Sequence, residues 1–132
     1  LSIDAFVAKI VAVREAGEEA GVPLVLNART DVFIGQVGDP ATRLERAVER
    51  GRAYLDAGAD CVFGPAVADS ATIGALVDGI AGPVSILAGP GSPTLQELAA
   101  LGLGSRHLDV LHEHHASRAR RLGPTGQSGV KQ

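Results

Sequence analysis

"LVLNARTD", residues 24–31, carries the apolar run Leu24, Val25 and Leu26 into Asn27, Arg29 and Asp31. Pro23 stands in front of it as a natural lead-in. Branched and long aliphatic residues favour a half-buried extended chain. The stretch reads as a strand over 24–28 that builds a core wall and carries polar groups to its carboxyl end.

The flanks repeat this theme. Ser2 reads as a helix cap before Ile3, Phe6, Val7, Ile10 and Val11, which follow 3.6-residue spacing, and Gly17 or Gly21 ends that helix. Asp39-Pro40 reads as a cap plus first-turn proline. The helix it opens runs to about Ala57 with Leu44, Ala47, Val48 and Leu55 inward, and Gly58 stops it. A second apolar strand, 59–63, ends at Gly64-Pro65. Asp69 caps a third helix bearing Ile73, Leu76, Val77 and Ile80, and Gly82-Pro83 turns the chain into a third strand, 84–88. In "GPGSP", residues 89–93, Ser92 is read as N-cap and Pro93 as first helical residue, ahead of Leu95, Leu98 and Leu101.

Strands apolar on both faces, alternating with helices, imply a parallel sheet with right-handed crossovers. A (β/α)₈ barrel typically needs roughly 250 residues. The strand spacing fits barrel units or a doubly wound sheet, and the expected fold for these 132 residues is α/β, a partial TIM-like (β/α)₈ barrel amounting to about half a barrel.

Composition narrows the function classes. The chain is 45% hydrophobic and 20% charged, which excludes disorder as the default state. Aromatics at 3% and a net charge of −3 disfavour a nucleic-acid partner. The single cysteine, Cys61, cannot form an internal disulfide, and no apolar run is long enough to span a membrane, so a cytoplasmic protein is expected. The chain has no methionine and starts within an amphipathic pattern, so part of a longer protein is expected.

Three stretches in order, "NARTD", "ERAVERGRAYLDAGADCVFGP" and "GPVSILAGPGSPTLQELAALG", resemble the isocitrate lyase/phosphoenolpyruvate mutase superfamily. The resemblance implies a TIM-like barrel that makes or breaks C–C or P–C bonds beside a carboxylate, with magnesium, on small 2-oxo or 2-hydroxy acids. It covers residues 1–102, the carboxyl-terminal half of such a barrel. By resemblance Arg29 binds a substrate carboxylate at the barrel mouth, a role its two parallel donors suit. Asn27, Asp31 and Ser85 are further candidate substrate contacts. The family's magnesium carboxylates and mobile loop lie upstream of "NARTD", so no metal ligand is assigned to this chain and little activity is expected of it alone. Relatives usually carry asparagine at Ser85 and a larger apolar residue at Gly64.

Each candidate has a plainer reading. Arg29 could simply pair with Asp31, and Asp31 is read as orienting Arg29 rather than as a base. Asn27 could satisfy neighbouring backbone. "GPGSP" could hold an anion on free N–H groups, but a capped turn is preferred. Cys61 reads as a buried small hydrophobe, and Glu45, Arg46, Glu49 and Arg50 as a solvated helix face.

Residues 1–103 are taken as the barrel portion and 104–132 as a divergent tail. That tail holds His107, His112, His114 and His115, yet Ala116 breaks the H-E-x-x-H zinc pattern. Permissive back-translation of residues 104–122, read one base over, resembles a strand and helix, so the tail is expected to be frameshifted or miscalled and poorly ordered. A half-barrel would leave open sheet edges, so self-association is expected.

Overall fold

The computed structural model describes residues 1–36, 38–89 and 91–103. The expected tail over 104–132, its histidines and its proposed frameshift lie outside these residues.

Helix α1, Ile3–Glu19, begins at Ser2, whose hydroxyl accepts from the Ala5 N–H at 3.2 Å. Gly21 (φ 66°) takes the left-handed turn after it, while Gly17 lies buried inside the helix under Leu24. Strand β1, Asn27–Arg29, leads to a 3₁₀ turn, Pro40–Thr42, and helix α2, Arg43–Asp56. Asp39 caps that turn through Ala41 rather than α2 itself. Strand β2, Cys61–Gly64, is followed by helix α3, Ser70–Ile80, with Asp69 accepting from Thr72 at 2.8 Å. Strand β3, Val84–Ile86, leads to the short helix α4, Leu95–Ala100.

The three strands form one parallel sheet in the order β1-β2-β3. Helices alternate with them, so the chain is a partial TIM-like barrel, as the sequence implied. The core lies between sheet and helices, where Val62, Ile86, Tyr54, Ile73, Leu76 and Leu98 are all but sealed from solvent. Burial of each such side chain stabilises by about 1.5–3 kcal/mol.

Several boundaries differ from expectation, each for a physical reason. The β1 ladder starts at Asn27, because its partner strand starts at Cys61 and the register Asn27↔Cys61 sets the first pair. Leu24 and Val25, expected in the wall, are exposed, Val25 to 83%. β3 stops at Ile86, opposite the last residue of β2, and Leu87 is left exposed. Ser92 does not cap α4. Thr94 does, in a reciprocal capping box with Glu97, and Ser92 instead accepts from the Gly89 N–H at 3.0 Å. Leu95 then points outward, with Leu98 the buried residue of α4. Helix α3 ends on Ala81 in a left-handed conformation (φ 55°), ahead of the expected glycine.

Candidate functional site

Side chains alternate across a pleated strand, and parallel register keeps paired residues on one face. The pairs Asn27↔Cys61, Arg29↔Phe63 and Phe63↔Ser85 therefore put Asn27, Arg29, Cys61, Phe63 and Ser85 on a common face. Ala28, Val62, Gly64, Val84 and Ile86 occupy the other. Helices cover this second face: a Cβ built on Gly64 would sit 3.8 Å from Leu76 of α3. That is an ordinary contact, so a methyl group at this position would fit. The polar candidates face away from the helices, on the side that lines the interior when such a sheet closes.

The "NARTD" stretch keeps its alternation beyond the strand. Asn27, Arg29 and Asp31 are exposed, while Ala28, Thr30 and Val32 are buried. The Thr30 N–H donates to the Phe63 carbonyl at 2.9 Å, carrying the ladder one bond past β1 and fixing where Arg29 emerges. Arg29 Nε pairs with Asp31 Oδ1 at 2.7 Å, and Nη2 reaches Oδ2 at 3.4 Å. Both side chains are more than half exposed, at 57% and 58%, so the pair orients the guanidinium and adds little stability.

The structure brings Asn27 and Ser85 together. The Asn27 amide donates to the Ser85 hydroxyl at 3.2 Å, across the width of β2. Cys61 lies on the same face and is buried, which pushes its thiol pKa up despite a hydrogen bond with Ser85. It is no activated nucleophile. Asn27–Ser85 and Arg29–Asp31 form two separate pairs on one face.

At the carboxyl end of β1, a cleft of about 180 Å³ opens toward α1 and α2, bordered by Arg29, Asp31, Arg46, Arg50, Phe6 and Tyr54 among others. Here the solvated-face expectation for α2 is corrected: Glu45 and Glu49 are exposed, but Arg46 and Arg50 are half-buried. Arg50 donates to the Tyr54 hydroxyl and to the Leu1 carbonyl, both at 3.1 Å. Sequence reasoning also missed Arg14, which ties α1 to the opposite end of the sheet through Asp60 and the Leu24 and Gly58 carbonyls. An arginine within an amphipathic helix gives no sequence signal for such distant partners.

In the Gly89–Ser92 turn, the Gly89 N–H is spent on Ser92 Oγ and the Ser92 N–H on the Gly89 carbonyl, which favours the turn reading over an anion loop. Among the described residues no group of three or more His, Cys, Asp and Glu side chains could hold a metal ion. No helix among them is long and apolar enough to cross a membrane.

Residues 1–106 match phosphoenolpyruvate phosphomutase. The chain belongs to that family. An uncharacterized protein of Mycobacterium tuberculosis H37Rv is 37% identical over 97 residues, which are 73% of this chain and 34% of that protein. A candidate phosphonomutase from Burkholderia cenocepacia J2315 superposes with a TM-score of 0.70 at 34% identity, over 93% of this chain and 52% of that one. 2,3-Dimethylmalate lyase, a member of the phosphoenolpyruvate mutase/isocitrate lyase superfamily, superposes with a TM-score of 0.64 over all of this chain and 48% of its own. At 23% identity it speaks for the fold alone. The chain thus spans about a third of the curated relative and about half of each of these solved structures. Within the phosphoenolpyruvate phosphomutase family, the matched residues include both polar pairs of the sheet face.

Proposed function

We propose that this chain is the carboxylate-binding half of a lyase or phosphonomutase that acts on small 2-oxo or 2-hydroxy acids. One observation carries the reading: Arg29 stands at the carboxyl end of β1, on the sheet face turned away from the helices, in a chain of this family. Barrel enzymes deliver function at that end of their strands. The Arg29 guanidinium offers paired donors to a carboxylate, with Asp31 holding its orientation from the other side. Two residues back, the Asn27 amide is fixed by Ser85 and keeps one further N–H to offer a substrate oxygen.

The resemblance implies magnesium, but the described residues do not fit a magnesium centre. Asp31 is taken by Arg29 and Asp60 by Arg14, at opposite ends of the sheet, and no third carboxylate joins either. No step of this reading runs through a metal. The purified 132 residues should show little or no lyase activity. Magnesium-stimulated turnover from them would contradict the half-enzyme reading.

Pyruvate titration followed by NMR tests the binding role. Arg29→Gln should weaken binding by about tenfold or more, and Arg29→Lys should restore part of it, since a point charge replaces a fork. Unchanged affinity in Arg29→Gln overturns the assignment.

A second reading is an inactive half-barrel that self-associates. β1 and β3 are the outer strands of the described sheet, and Val13, Val22 and Val25 are exposed on or near the β1 side. A strict monomer in sedimentation would remove it.

A further inference from the structure

We draw no further inference here: the strongest candidate, the apolar groove of about 230 Å³ between helix α1 and the outer edge of β1, lined by Phe6, Ile10, Val13, Val25 and Leu26, carries nothing because nothing in the structure shows what covers it.

Discussion

Asn27 and Ser85 lie on strands that are not neighbours, yet their side chains hydrogen-bond at 3.2 Å over the intervening β2. Ser85 is buried and Asn27 exposed, so the bond joins the floor of the sheet face to its open edge. It also sets which N–H and oxygen of Asn27 stay available to a ligand.

Removing either partner tests that linkage. Asn27→Ala leaves a buried hydroxyl without this donor and should cost about 1–2 kcal/mol. Ser85→Ala frees an exposed amide that water can satisfy and should cost less, about 0.5–1 kcal/mol. A double-mutant cycle in urea should give a coupling of about 0.5 kcal/mol or more.

Arg14 and Asp60 form a clamp at the other end of the sheet. Arg14 reaches the Leu24 carbonyl at 2.7 Å and Asp60 at 2.6 Å, and Asp60 accepts from the Leu26 N–H at 2.7 Å. Asp60 is 46% exposed, so the ion pair itself adds little, about 0–1 kcal/mol. The larger loss in Arg14→Gln comes from the backbone carbonyls, at about 1–2 kcal/mol in urea denaturation. The Leu26 N–H and then Arg14 hold the Asp60 carboxyl below its usual range. With the folded value below the unfolded one, the stabilisation is complete above about pH 4 and is lost as pH falls through the folded value. Asp60→Asn should flatten that acid limb; an unchanged slope would count against the clamp.

Two glycines set the approach of α2 and α3. A Cβ on Gly79 would lie 2.7 Å from Val48 Cγ2, and one on Gly51 would lie 2.7 Å from Ile80 Cδ1. Alanine gains about 1 kcal/mol of helix propensity at either site, against roughly 1–3 kcal/mol of overpacking. A Cβ on Gly51 would also lie 2.8 Å from Ile80 Cγ1, and Ile80, like Val48, is β-branched and stiff at χ1. Gly79→Ala and Gly51→Ala should therefore both lower the melting temperature. A rise in either variant would refute this account.

Thr30 is 2% exposed, and its hydroxyl has no hydrogen-bond partner among the described residues. Thr30→Val keeps the shape and removes the stranded hydroxyl, so it should stabilise by about 1 kcal/mol in urea denaturation. Destabilisation would mean that the hydroxyl finds a partner in solution.

Helix identities were written locally. Ser2 and Asp69 cap where they stand, and the 3.6-residue spacing of Ile73, Leu76 and Ile80 names the buried side of α3. The α4 start was misread because Ser92-Pro93 and Thr94 offer competing caps, and only the reciprocal bonds to Glu97 decide between them. Leu24 and Val25 read as core because propensity is blind to where a partner strand begins.

By itself the sequence determined an alternating helix–strand chain, the family, and a polar cluster at the end of the first strand. Periodicity, caps and motif are properties of neighbouring residues, so they survive without coordinates. Tertiary structure decided the register Asn27↔Cys61, the bond from Asn27 to Ser85, and the cleft joining Phe6, Arg29 and Arg50. Those contacts link residues far apart along the chain, and only the packing of helices on a parallel sheet brings them within reach.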